Sequence, residues 1–376
     1  MTSTTRHVRL SKASLGEAER EAVQRPLLNT FLGMGAEVKA FEEGLAAYLG
    51  RPVACVANGT AALQLALQAC GVGPGDEVLV PSLTYVASFQ AIAATGAVPV
   101  ACDIRENDCM IDMRDAEART TSRTRAVMPV LYAGAPGSLD EVYVLAGRHG
   151  LRVVEDAAHA FGSMAGNRLV GAGGEIACFS FDGVKNITSG EGGCVVTDDA
   201  AVMARVADAR LLGVEKDSDA RFSGQRSWDF DVTAQGWRYH MSDIMAALGR
   251  VQLARRQELA DRRQYLARLY LSELKGAARI TPVLKSVDGI IPHIFPVRLH
   301  GVADRDDLRR RMRDQGIETG VHYRPNHTLT LFARPDAAPL PVTDRVYPEL
   351  LTLPLHPDLA DDDVAYVCRA LMSMLS

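Results

Sequence analysis

The chain has 376 residues, of which 47% are hydrophobic and 23% charged, with a formal net charge of −5. That length allows one large or two moderate domains with ample core, and the mild acidity speaks against general nucleic-acid or membrane-surface binding. No apolar stretch reaches the roughly eighteen residues of a membrane span, the N-terminus lacks the apolar segment expected of a secretory signal, and seven cysteines without a C-x-x-C pair read as reduced core residues of a cytoplasmic protein.

Residues 1 to about 35 are polar and poorly periodic, and are expected to form an arm on the protein or on a partner subunit. Val38, Phe41, Leu45 and Tyr48 follow helical spacing, and Gly50 ends that helix. Val53 to Val56 is a short strand leading through Asn58-Gly59-Thr60 into a helix with Leu63 and Leu67 on one face. A strand, a tight Gly turn and a helix start make an anion site, because free backbone N–H groups and the dipole converge there. Thr60 and Ala61 are placed to hold a phosphate; a plain N-cap is the other reading.

Glu77 to Val80, Val98 to Cys102, Arg125 to Val130 and Leu151 to Glu155 are further short strands, separated by helical segments. One of these helices opens with a capping box, Ser138 with Glu141. Alternation of this kind implies a mostly parallel sheet covered on both faces. Residues 166–174 form a Gly-rich loop rather than a dinucleotide fingerprint, since no G-x-G-x-x-G follows the first strand and opens a helix. Residues 214–236 are a long polar loop and therefore a candidate functional segment. Ser242-Asp243 caps a long helix to about Leu274, whose arginines 250, 255, 256, 262, 263 and 268 read as a solvated face. A strand at 294–299, a helix at 304–315 and a last helix at 361–375 suggest a smaller α+β domain. The division expected is 1–245 for a large α/β domain with an N-terminal arm, and 246–376 for a small one.

The chemistry concentrates in two places. Ile176 to Phe181 and Cys194 to Thr197 read as buried strands, and the polar connection between them carries Lys185. The chain has six lysines against thirty-five arginines, so a lysine here suggests that its amine is wanted. Lysine becomes nucleophilic when desolvated, and arginine does not. A lysine snorkelling out of a loop is the bland alternative. Asp156 stands at the carboxyl end of its strand, where open α/β sheets bind ligands. A carboxylate that keeps a ring nitrogen protonated and a lysine that holds an aldehyde as a Schiff base suit pyridoxal phosphate. Ser180 is near enough in sequence to reach the phosphate.

Asn58-Gly-Thr-Ala-Ala-Leu63, Pro81-Ser-Leu-Thr-Tyr-Val-Ala87, Glu155-Asp-Ala-Ala-His159, Ser180 with Lys185, Gly190-Glu-Gly-Gly193 and Val321-His-Tyr-Arg-Pro-Asn-His327 occur in this order. Together, from about Phe31 to the C-terminus, they resemble the sugar-nucleotide aminotransferases of the DegT/DnrJ/EryC1/StrS family. The resemblance implies the aspartate aminotransferase-like fold of pyridoxal-phosphate enzymes (fold type I), with a large mostly parallel sheet domain and a smaller C-terminal α+β domain. It implies a nucleotide-linked keto sugar as acceptor, L-glutamate as donor and a homodimer with shared active sites.

Residue by residue, it assigns Lys185 and Asp156 to catalysis, and Gly59, Thr60, Ala61 and Ser180 to the phosphate. Tyr85 is to stack on the pyridine ring, with His159 near the cofactor's phenolic oxygen. His322, Tyr323 and His327 border the sugar nucleotide; as metal ligands the two histidines lack a matching carboxylate or Cys set. At position 238 the family usually carries an Asn that reaches the other subunit's cofactor phosphate. Arg238 could make that contact; a surface salt bridge is the alternative. Two rivals remain: a keto-sugar 3-dehydratase of the same family, in which histidine replaces the lysine, and a non-catalytic regulator that binds the cofactor. The presence of Lys185 speaks against the first, and the intact set of Asp156, Ser180 and Lys185 against the second.

Overall fold

Short apolar runs alternate with helices along the first half of the chain, and in the computed structural model, which describes residues 6–215, 217, 222 and 229–375, they assemble into one sheet. The elements in order are α1 (Glu17–Leu28), α2 (Ala36–Leu49), β1 (Val53–Val56), α3 (Gly59–Ala69), β2 (Glu77–Pro81), α4 (Val86–Ala94), β3 (Val98–Cys102), α5 (Met113–Ala118), β4 (Thr124–Val127), α6 (Leu139–His149) and β5 (Arg152–Asp156). A small hairpin, β6 (Met164–Ala165) with β7 (Arg168–Leu169), precedes β8 (Ile176–Ser180), β9 (Gly193–Thr197) and α7 (Ala200–Ala209). Then follow α8 (Asp243–Ala254), α9 (Arg256–Glu273), β10 (Ile280–Pro282), β11 (Phe295–Leu299), α10 (Arg305–Asp314), α11 (Pro341–Val346), β12 (Leu350–Leu353) and α12 (Asp361–Leu375).

The large sheet has the order β1-β9-β8-β5-β4-β2-β3. β3, β2, β4, β5 and β8 are parallel, and only β9 runs against its neighbours. Its central strands read as unbroken apolar runs because both faces are covered: every residue of β8 and β9 is buried, whereas the edge strand β3 is largely half-buried. The parallel strands therefore release Ser82, Asp156 and Ser180 at one edge of the sheet, and the site forms there. A second, antiparallel sheet, β10-β11-β12, packs with α9, α10 and α12 around a separate apolar core.

Two local expectations change, and a third gains detail. The arm lies on the protein, one of its two expected places: Val8 bridges to Ile317, and α1, a helix that weak periodicity does not announce, packs on α8. Its apolar stripe is thin because its buried face carries Glu19, which accepts from Gln252 Nε2 at 2.7 Å and Arg255 Nη1 at 2.6 Å. The long helix is two helices, broken at Arg255 (φ −88°, ψ 2°). α8 packs on α1 and α2, while α9 packs on α12, so the break lies where the packing partners change. Ser138 and Glu141 do not form a capping box. The Ser138 side chain makes no cap bond; its Oγ accepts from Arg105 Nη1 at 2.8 Å, which also reaches Glu141 at 3.3 Å. A long-range guanidinium thus satisfies both groups.

Asp243 has a role beyond its own helix. Its carboxylate accepts from the N–H groups of Gly35 (2.8 Å) and Val38 (3.1 Å), capping the start of α2 from α8. The loop of residues 214–236 lies partly outside the described residues.

Candidate active site

Asp156 ends β5 and is buried, 6% exposed. Its carboxylate accepts from Ser88 Oγ at 2.7 Å and from the Ala158 N–H at 3.2 Å. Burial raises its pKa above the usual carboxylate value, against those bonds and the attraction of Lys185. The next strand, β8, ends in Ser180, after which a turn closed by Lys185 N–H on the Asp182 carbonyl (3.1 Å) presents Lys185. Burial pushes the Lys185 ammonium down to about 8; Asp156 and Asp182 act the other way, and Arg263 adds to the depression. Its Nζ lies 3.4 Å from His293 Nε2.

A histidine–tyrosine wall encloses this amine. His159 and His293 face one another with ring centroids 4.5 Å apart, and His159 Nε2 meets the Tyr323 hydroxyl at 2.9 Å. Burial first, and the Lys185 charge second, hold both imidazoles well below their ordinary pKa, so they are neutral at neutral pH. The Nδ1 atoms of both are buried without a hydrogen-bond partner among the described residues. His322 is likewise depressed, to about 4, by burial and Lys185, and its Nδ1 pairs with Thr352 Oγ1 at 2.8 Å. Tyr85 is the open member: its ring is 59% exposed and 5.4 Å from that of Tyr323.

The anion end is built by three motifs locked together. Asn58 Oδ1 accepts from the Ala61 N–H at 2.8 Å, which leaves the first N–H groups of α3, at Gly59 and Thr60, without an intrahelical acceptor. A Cβ on Gly59 would stand 2.9 Å from Ser180 Cβ, so only glycine lets the helix start abut β8. A Cβ on Gly193 would stand 2.6 Å from the Asn58 carbonyl, which accounts for the glycines that open β9. The segment 237–240 lies along this cradle: Val56 bridges to His240, and the Ala57 N–H donates to the Tyr239 carbonyl at 2.6 Å. Trp237 Nε1 and Tyr239 OH donate to Gln68 and Gln64 on α3, while Arg238 between them is exposed and bonds to no described residue through its side chain.

The loop after residue 320 is fastened across the sheet edge. Asn326 is fully buried and its Nδ2 donates to the carbonyls of Ser82 (3.1 Å) and Thr84 (2.8 Å). The ring of His327 is held between Ser82 Oγ at 2.7 Å and Asp344 at 3.1 Å, while Tyr323 turns inward to His159. Lys185, Asp156, His159, Ser180, Gly59, Tyr85, His322 and Tyr323 therefore converge; His327 braces the loop, and Arg238 points outward.

Sequence reasoning passed over four residues. Ser88 lies inside α4 with no motif to mark it, His293 is a single polar residue in an ordinary loop, and Asn326 lies in the 321–327 motif but is given no role there. Arg263 was grouped with a solvated face, but it is buried at 1% exposure. The only available signal was its place within a helix rich in aliphatic neighbours.

The residues present fit pyridoxal phosphate. Gly59 shapes a cradle that a Cβ would fill, Asp156 is a buried carboxylate without a cationic hydrogen-bond donor, and His159 Nδ1 is an orphaned buried atom beside a desolvated lysine. The model of the DegT/DnrJ/EryC1/StrS aminotransferase family matches residues 13–372. Among solved structures, the aminotransferase TlmJ from Streptoalloteichus hindustanus is 32% identical, with 98% of each chain covered and a TM-score of 0.90. Spr1654 from Streptococcus pneumoniae in its PLP-form is 29% identical, with 98% of each chain covered and a TM-score of 0.91. DesI, solved in the presence of its TDP-sugar product, is 29% identical, with 98% of this chain and 92% of that one covered and a TM-score of 0.87.

Proposed function

The chain belongs to the DegT/DnrJ/EryC1/StrS aminotransferase family and is a pyridoxal-phosphate-dependent sugar aminotransferase; we propose that it moves an amino group from L-glutamate to a nucleotide-linked 3- or 4-keto-deoxy sugar. The observation that carries the reading is the Lys185 amine, depressed to about 8 and set against Asp156 and a neutral histidine wall. When bound, the cofactor supplies an aldehyde that carries the amino group and a pyridinium ring that draws electrons.

Lys185 Nζ has its pKa close to working pH, so it takes up and returns a proton readily. Asp156, steadied by Ser88, would hold a proton at the ring nitrogen. The free N–H groups of Gly59 and Thr60, with Ala61 beside them and Ser180 Oγ near, would bind the phosphate. Tyr85 would stack on the ring, and His159 would sit near its phenolic oxygen. His322 and Tyr323 border the sugar, with His327 bracing their loop. The outward Arg238 supports a homodimer in which it reaches the other subunit's phosphate. DesI was solved with a TDP-sugar product, which supports a nucleotide-linked acceptor here. The seven free thiols support a cytoplasmic setting, and among the described residues no helix is long and apolar enough to cross a membrane.

The test is an absorption spectrum of the loaded enzyme before and after L-glutamate, followed by a panel of 3-keto and 4-keto nucleotide sugars. A visible band that bleaches with glutamate and returns with one of the sugars is the expected result. A band indifferent to glutamate removes that donor, and a panel that never restores the band removes the sugar class.

A further inference from the structure

Arg263, on α9, is among the largest fully buried side chains, and it has no carboxylate partner among the described residues. Burial alone pulls its pKa down to about 10, so the cation is retained near neutral pH. Its Nη1 donates to the carbonyls of Pro292 (3.5 Å), His293 (3.2 Å) and Leu355 (3.5 Å). Its Nη2 donates to those of Val184 (3.3 Å) and Lys185 (3.4 Å). One planar fork therefore ties together the turn that carries Lys185, the loop that carries His293 and the exit of β12. An uncompensated buried charge is disfavoured, and an apolar side chain of similar volume would leave five carbonyls without this donor.

We propose that Arg263 is a positioning residue: its guanidinium, bonded on both sides of the Lys185–His293 contact, fixes the amine against the imidazole and keeps a fixed positive charge behind it. The inference rests on the aminotransferase reading of the same site. The charged and titratable groups facing Lys185 are Asp156, Asp182, His159, His293, His322 and Arg263. The three histidines are neutral at neutral pH, so Arg263 is the one cation among them, and it disfavours a proton on the lysine nitrogen.

The loaded enzyme is titrated in the absence of any donor, reading the pH midpoint of its visible band, which reports the proton on the lysine nitrogen. Arg263→Gln is expected to raise that midpoint by about one unit and to lower kcat with little change in KM for the donor. Arg263→Lys keeps the charge but offers one nitrogen instead of two; it is expected to keep the wild-type midpoint and still lose roughly tenfold in kcat. A folded Arg263→Gln with wild-type midpoint and kcat overturns the proposal. If that variant melts below the assay temperature, Arg263→Lys decides: undiminished kcat overturns it. Because the midpoint needs no glutamate, a wrong donor assignment leaves this test readable, whereas a wild type without a visible band overturns both readings.

Discussion

Asp156 and Tyr85 stand in one site under opposite conditions: the carboxylate residue is 6% exposed and bonded to Ser88 and Ala158, while Tyr85 is 59% exposed, with its ring 5.4 Å from that of Tyr323. The same contrast divides the whole pocket. Lys185, Asp156, His159 and His293 form a wall set by strand ends and by neighbours inside the chain. Tyr85 and Arg238 are the exposed members, the rim, and meet solvent. A dry wall shifts pKa values and fixes distances, which suits bond-making steps. A wet rim holds long side chains free to meet a substrate or another subunit. On the proposed reading the chemistry belongs to the wall, and the rim supplies the face and the cation that complete the cofactor's surroundings.

Replacing wall and rim residues in turn tests that division. The largest effect is expected at the wall. Lys185→Ala removes nucleophile and proton carrier together and should cost at least ~1000-fold in transfer, while the protein still retains the cofactor in a form that dialysis removes. Turnover persisting near the wild-type rate would take the chemistry away from Lys185.

An intermediate effect is expected where wall and rim are joined. Asn326→Ala strips the side-chain donor from the Thr84 carbonyl and one of two donors from that of Ser82, which keeps the Asn326 N–H at 2.9 Å, and leaving a buried carbonyl unmet costs about 1 to 3 kcal/mol. Denaturant unfolding should show that loss, and KM for the sugar should rise more than kcat falls, because the loop of His322 and Tyr323 loosens. Unchanged unfolding would mean that the loop's other bonds, among them His327 to Ser82 and His322 to Thr352, hold it without the Asn326 amide.

The smallest effect on rate is expected at the rim. Arg238→Ala should weaken cofactor retention by roughly tenfold, read by equilibrium dialysis, with kcat at saturating cofactor nearly intact. Retention equal to wild type would remove Arg238 from the phosphate site and leave it as a surface residue.

Much of the wall was legible before folding. Asp156 at a strand end, Lys185 between two core strands and Asn58-Gly59-Thr60 at a helix start are local patterns, since a strand, a turn and a cap are each written within a few residues. The motif order carried the family and the fold class. Local pattern failed where a polar residue is buried by distant partners. α1 hid because Glu19 is satisfied by Gln252 and Arg255 instead of adding to an apolar stripe. Arg263 hid because periodicity marks arginine as outward-facing, and only three loops arriving from elsewhere convert its site into a set of acceptors.

The sequence by itself determined the alternating sheet architecture and the cofactor chemistry and singled out Lys185 as the candidate nucleophile, because these follow from residue type and near-neighbour spacing. Only the tertiary structure decided the environment of that nucleophile. The contacts that set it join Lys185 to His293, His159 to Tyr323 and Ser82 to His327, across 108, 164 and 245 positions of chain. Burial and hydrogen-bond partners at that range depend on how the two sheets pack, and no local pattern encodes them.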